Sequence, residues 1–148
     1  MEREYSDYPV LGVGGIVFLD DRVVLVKRGK EPGYRTWSIP GGTVKLGETM
    51  KDAAKREIYE ETELKVDTLE IVKIVDPIIR DENNRILFHF VLVDFLCKYK
   101  SGKLRADSDA LDARAVPIPE LPGYGLPEAT LEVIDKALYL LKKGASKA

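Results

Sequence analysis

Cysteine occurs once, at Cys97, so the chain cannot close an internal disulfide, and that usage fits a reducing compartment. Glutamine is absent and asparagine is confined to Asn83 and Asn84, while lysine and glutamate are plentiful, a balance enriched in heat-stable proteins. No apolar run is long enough to span a bilayer, and the opening MEREYSDYPV lacks the apolar stretch of a secretory signal. The expectation is a cytoplasmic protein with no membrane partner. Excess positive charge is missing as well: 23 Lys and Arg stand against 25 Asp and Glu, a net charge of −2, which argues against binding nucleic acid through a basic surface. A small phosphorylated ligand needs only a few placed cations and stays compatible. What is present is the makeup of one globular domain over residues 1–148, with 45% apolar and 32% charged residues and no internal repeat.

The informative stretch is Gly42 to Leu64, GTVKLGETMKDAAKREIYEETEL. Thr49 supplies an N-cap with the acidic Asp52 three positions on, and the helix formers behind it predict a helix over Met50 to Thr62. At about 100° per residue, Met50, Ala53, Ala54, Glu57, Ile58 and Glu61 share one stripe, with Glu60 at its border. Lys51, Asp52, Lys55, Tyr59, Thr62 and Glu63 form the opposite, mostly polar face. Glu57 and Glu61 therefore fall in the middle of the apolar side, where a carboxylate must meet a cation or lose its charge. The residues alone leave two readings open. One is a solvated acidic face or a salt bridge to Arg56. The other is a site where glutamates at i, i+3 and i+4 converge on a hard divalent cation, Mg²⁺ or Mn²⁺, that takes oxygen ligands.

The whole stretch resembles the Nudix box, whose pattern is glycine, five residues, glutamate, seven residues, then Arg-Glu-aliphatic-x-Glu-Glu-x-Gly-aliphatic. Here it reads Gly42, Glu48, Arg56, Glu57, Ile58, Glu60, Glu61 and Leu64, with Glu63 where the family has glycine. That departure touches the left-handed end of the helix and leaves the carboxylates in place. The lead-in from Trp37 through Pro40-Gly41-Gly42 is similar too. The resemblance implies an α+β fold with a mixed β-sheet sandwiched between α-helices (α/β/α). It also implies metal-dependent hydrolysis of the pyrophosphate bond in a nucleoside diphosphate linked to another moiety. One to three Mg²⁺ or Mn²⁺ ions would be held by Glu57, Glu60, Glu61 and the Gly41 carbonyl. Arg56 and Glu48 would orient the glutamates, and Asp109, from a late loop, would complete the site as ligand or base.

Substrate choice is implied downstream of the box. Pro77 lies close to where ADP-ribose hydrolases carry a proline, whereas Tyr99 lies well beyond the tyrosine of diadenosine polyphosphate hydrolases. The implied reaction is ADP-ribose to AMP and ribose 5-phosphate, with dNTP or diadenosine polyphosphate cleavage as the alternative. A non-catalytic nucleotide-sensing domain is the reading from another class. Similarity to ADP-ribose enzymes also brings the expectation of a homodimer.

The rest of the chain supplies the scaffold. Val10 to Leu19 reads as a buried strand whose Gly12, Gly14 and Gly15 let a neighbour approach its backbone. Asp20-Asp21 turns the chain into a second strand, Arg22 to Arg28, and a polar loop follows from Gly29 to Gly33. Arg28 and Arg35 are candidate phosphate clamps or ordinary surface arginines. Trp37 is a core or wall residue, or a platform for a base. Val66 to Val75 and Ile86 to Tyr99 read as strands, the second apolar on both faces and so central; it carries His89, a core imidazole or a base. Ser101 to Asp112 reads as a loop, Ala113 to Val116 as a short strand, and Pro117 to Gly125 as a stiff connector. After Pro127 a last helix places Leu131, Ile134, Leu138 and Leu141 on one face and ends before Gly144, on the side of the sheet away from the first helix.

Overall fold

Val10–Leu19 (β1) is the strand on which the others assemble in the computed structural model, which describes residues 3–146. Along its first half β1 is flanked by Gly41–Thr43 (β4, antiparallel) and by Ile86–Ser101 (β7, parallel). Along its second half the neighbour opposite β7 is Arg22–Arg28 (β2), reached through the tight turn at Asp20-Asp21. Lys65–Val75 (β5) and Ile78–Arg80 (β6) pair with β7, while Trp37–Ser38 (β3) and Ala110–Pro117 (β8) pair with β2. These eight strands form one mixed sheet.

Side chains alternate across a strand, and β1 uses that alternation to face two different helices. Val13 and Val17 point to one face, where Ala53, Ala54 and Ile58 of Met50–Thr62 (α1) pack with Val93, Phe95 and Cys97. Ile16 and Phe18 point to the other, against Val133, Ile134 and Ala137 of Glu128–Ser146 (α2) and Leu96 of β7. The result is the α/β/α sandwich that the resemblance implies. Close approach of α1 depends on Gly15, where an added Cβ would run into Ile58 and come within 2.8 Å of the Cys97 sulfur.

α1 starts as its sequence dictates: the Thr49 hydroxyl accepts from the Asp52 amide at 3.1 Å. Its end is less ordinary. Glu63 takes the left-handed conformation (φ 61°) usually given to glycine, and its amide donates to the Tyr59 carbonyl at 2.8 Å, so the helix closes without the family's glycine.

Four expectations are corrected. Thr62, placed on the polar face, is fully buried, because the loop after β7 folds over the helix end: the Arg105 and Asp107 amides donate to the carbonyls of Thr62 and Glu61 at 3.0 and 3.1 Å. Burial is tolerated there since the Thr62 hydroxyl donates to the Ile58 carbonyl and accepts from the Leu64 amide. β8 begins at Ala110 rather than Ala113, carried past a register shift at Lys27/Arg28. α2 runs on through Gly144 to Ser146, in open space where nothing lies near that glycine to end the helix. The connector holds a 3₁₀ helix over Ile118–Tyr124. β3, β4 and β6 are two or three residues long, too short for alternation to announce them.

Candidate functional site

β4 and α1 meet at a hydrogen bond that defines the site: the Gly41 amide donates to Glu61 Oε1 at 2.8 Å. Glycine is required on this strand by contact. A Cβ on Gly41 would lie 2.7 Å from the Gly14 Cα, and one on Gly42 would collide with the Glu57 carboxylate. The bare backbone thus lets two carboxylates of α1 lie against it.

The remaining charges of the box are gathered by Arg56. Its guanidinium donates to both Glu48 oxygens at 2.7 and 2.9 Å, to Glu57 Oε1 at 2.8 Å, to Glu60 Oε2 at 3.3 Å and to the Thr43 carbonyl at 3.0 Å. These bonds hold Glu48 down at about 2, with Arg56 as the main cause, and raise Arg56 itself. Of the two sequence readings of the acidic stripe, the salt bridge to Arg56 is the one present. Glu57 and Glu60 are engaged by Arg56, and among the described residues no three Asp, Glu, His or Cys side chains are grouped to hold a metal ion.

Glu61 is the exception. Burial pushes its carboxyl up to about 7, the Gly41 amide pulls it down, and the neighbouring Glu57 carboxylate raises it further. The Arg28 and Lys30 charges across the cavity pull it down as well. Carboxylate oxygens are the ligands a divalent cation takes, and Glu57, Glu60 and Glu61 beside Gly41 are the groups that would hold one, with Glu57 and Glu60 now turned to Arg56.

Glu61 and Gly41 line a cavity of about 410 Å³, together with Arg28, Lys30, Pro77 and Asp109. Arg28 is anchored by donating to the Pro32 carbonyl at 2.7 Å; burial, then Arg3, lowers it, and the Glu61 charge acts on it in the opposite sense. Lys30 pairs with Asp109 at 2.8 Å in an exposed position. Arg56, Glu57 and Glu60 do not line this cavity, and two more residues singled out in the sequence stand elsewhere. Trp37 is edge-on to Tyr124 (5.2 Å between centroids), with the Arg114 guanidinium 5.0 Å over its ring. Arg35 is exposed in a turn with φ 67° and gives its amide to the Arg28 carbonyl. Neither lines the cavity, nor does His89, which stands opposite Ile78. Cys97 is buried, its thiol pushed up to about 12 by burial, and has no part in the site.

The cavity also has a floor that motif reading passes over: Gly12, Gly14, Leu92, Asp94 and Lys73. The available signal was Asp94, the only acidic residue in the apolar run from Ile86 to Cys97.

The fold agrees with that of the chain's relatives. The ADP-ribose pyrophosphatase of Methanocaldococcus jannaschii is 31% identical over 115 residues, 78% of this chain and 66% of that protein. Among solved structures, the MutT NUDIX hydrolase of Burkholderia pseudomallei superposes with a TM-score of 0.74 at 27% identity, covering 88% of this chain and 98% of that one. An ADP-ribose pyrophosphatase from Streptococcus suis gives 0.67 at 25% identity, covering 90% and 92%. The chain spans between 32% and 66% of the length of eight curated relatives it matches. The family model of the NUDIX domain matches residues 9–139, a span that takes in the box, the sheet that presents it and most of α2, and the chain belongs to the Nudix family.

Proposed function

We propose that the chain hydrolyses the pyrophosphate bond of a nucleoside diphosphate linked to a second moiety, with ADP-ribose, cleaved to AMP and ribose 5-phosphate, as its substrate. The observation that carries this reading is Glu61: a carboxyl pushed up to about 7, fixed by the Gly41 amide, on the wall of a cavity that also holds Arg28 and Lys30. The choice of ADP-ribose is supported by Pro77 on the cavity wall and by the two relatives named ADP-ribose pyrophosphatase.

A pyrophosphate resists water because its negative oxygens repel the nucleophile, so the site must supply positive charge. Glu57, Glu60, Glu61 and the Gly41 carbonyl would hold Mg²⁺ or Mn²⁺, which would supply that charge and make water more acidic. The chain's own groups do the rest. Arg28 and Lys30 bind phosphate oxygens, and Asp109, beside Lys30, serves as ligand or proton acceptor. Arg56 positions Glu57 and Glu60 without touching substrate. The Gly41 amide keeps the Glu61 carboxylate aimed along β4.

Incubation with Mg²⁺ and ADP-ribose should yield AMP and ribose 5-phosphate, and Glu61→Gln should lower kcat/KM by roughly 100-fold or more. Turnover indifferent to both metal and Glu61 would refute the reading. No turnover of ADP-ribose, dNTPs or diadenosine polyphosphates, alongside tight nucleotide binding, would make the chain a sensor.

A further inference from the structure

Four residues from four strands stand in one row across the sheet. Gly41 of β4 lies opposite Gly14 of β1, Gly14 lies beside Asp94 of β7, and Asp94 lies opposite Lys73 of β5. One end of the row is where Gly41 holds Glu61; the other is the edge strand. Two strand spacings, about 10 Å, separate Gly41 from Asp94, a length that a sugar and one phosphate can bridge. Gly14 has no side chain, which lets Asp94 and Ile39 lie over its backbone: a Cβ there would lie 2.8 Å from Asp94 Oδ1 and 3.1 Å from Ile39 Cδ1.

Asp94 is an odd residue for its place. Its neighbours along the same face of β7, Phe90, Leu92 and Leu96, are apolar, and an aliphatic side chain would serve the fold equally well. Burial pushes its carboxyl up to about 6, and the Lys73 charge pulls it back. Among the described residues, the Asp94 side chain makes no hydrogen bond and comes within 4.0 Å of no cation, and the Lys73 side chain likewise meets no acid. The Asp94 oxygens stay open to the cavity, where a ligand's donor can meet them. Both side chains line the cavity, between the apolar walls of Val75, Ile79 and Val133.

We propose that Asp94 and Lys73 read the edge of the nucleobase, Asp94 accepting from the exocyclic amino group of adenine and Lys73 donating to the ring nitrogen beside it. This rests on the cavity being the nucleotide site described above and assigns its base-selecting residues. Adenine offers an amino donor next to a ring-nitrogen acceptor. Hypoxanthine offers a carbonyl acceptor and an N–H donor at the same two positions, so a carboxylate would face a carbonyl and an ammonium would face an N–H. The apolar walls accept any flat base; only these two groups distinguish one edge from the other.

The test pairs binding with turnover. Calorimetric affinities for AMP and IMP, and kcat/KM for ADP-ribose and inosine diphosphate ribose, should both favour adenine by on the order of 10-fold in the wild type. Asp94→Asn, whose amide can meet either edge, and Lys73→Met should each bring both ratios toward one. Equal ratios in the wild type, a preference for GMP over AMP, or variants that keep the wild-type ratio would overturn the proposal. Should Asp94→Asn fail to fold, Lys73→Met on the edge strand decides alone. An Asp94-dependent preference for AMP without turnover of any diphosphate would sink the hydrolase reading and leave this one standing. Turnover with no base preference would do the reverse.

Discussion

α1 meets the sheet through two alanines and an isoleucine, Ala53, Ala54 and Ile58, whereas α2 meets it through Val133, Ile134 and Ala137 with Leu131, Leu138 and Leu141 beside them. Both helices cover one strand, β1, from opposite sides. The small residues of α1, set against Gly15, bring its axis close enough for side chains one turn away to reach the backbone of β4. α2 carries larger apolar side chains. The difference teaches a division of labour: α2 contributes burial, and α1 gives up some burial to place charge.

That division can be tested by breaking each side. Ile134→Ala, at a fully buried position in the α2 cluster, should lower stability by about 3–4 kcal/mol, read as a fall in the urea midpoint. Arg56→Ala should lower it by only about 1–2 kcal/mol, because its carboxylate partners are partly solvated, yet should reduce kcat/KM by roughly 10- to 100-fold as Glu57 and Glu60 lose their tie. If Arg56→Ala proved the more destabilising change, the two faces would not differ as argued.

A third effect is on pH dependence. Glu61 sits at about 7 when folded, above its ordinary value of 4.5, so between these pH values the native state binds more protons than the unfolded one. Stability of the metal-free protein should therefore fall as pH rises from about 4.5 through 7 and level off above. Asp94, raised to about 6 from 3.8, acts in the same sense. Mg²⁺ should oppose the fall, since it binds the deprotonated carboxylate that higher pH provides. Thermal unfolding at pH 5 and 8 measures this, and in Glu61→Gln the slope should be shallower. A wild-type slope equal to that of the variant would show that Glu61 titrates at its ordinary value.

The parts of the site legible in the sequence are those set by short-range spacing. Thr49 caps α1 because its hydroxyl need reach only three residues ahead, and Glu57 and Glu61 share a helix face because 3.6 residues make a turn. Gly41, Glu61, Arg28 and Asp109 all reach the cavity. Trp37 could not be resolved between wall and base platform, since its ring partners, Tyr124 and Arg114, lie about 80 residues away along the chain. Arg28 and Arg35 read alike in the sequence, and only the left-handed turn at Arg35 separates the one that faces the cavity from the one that faces solvent. Asp94 was visible as an isolated acid, but nothing local connects it with Gly14 and Lys73.

The sequence by itself determined the helix that carries the carboxylates, its cap, the apolar strands and the family pattern, because those depend on torsional preference and periodicity over a few residues. Tertiary structure alone decided which carboxylates Arg56 holds, which one the Gly41 amide singles out, and which side chains share a row across β4, β1, β7 and β5. Strand register sets those neighbours, and register is a property of packed strands far apart in the chain.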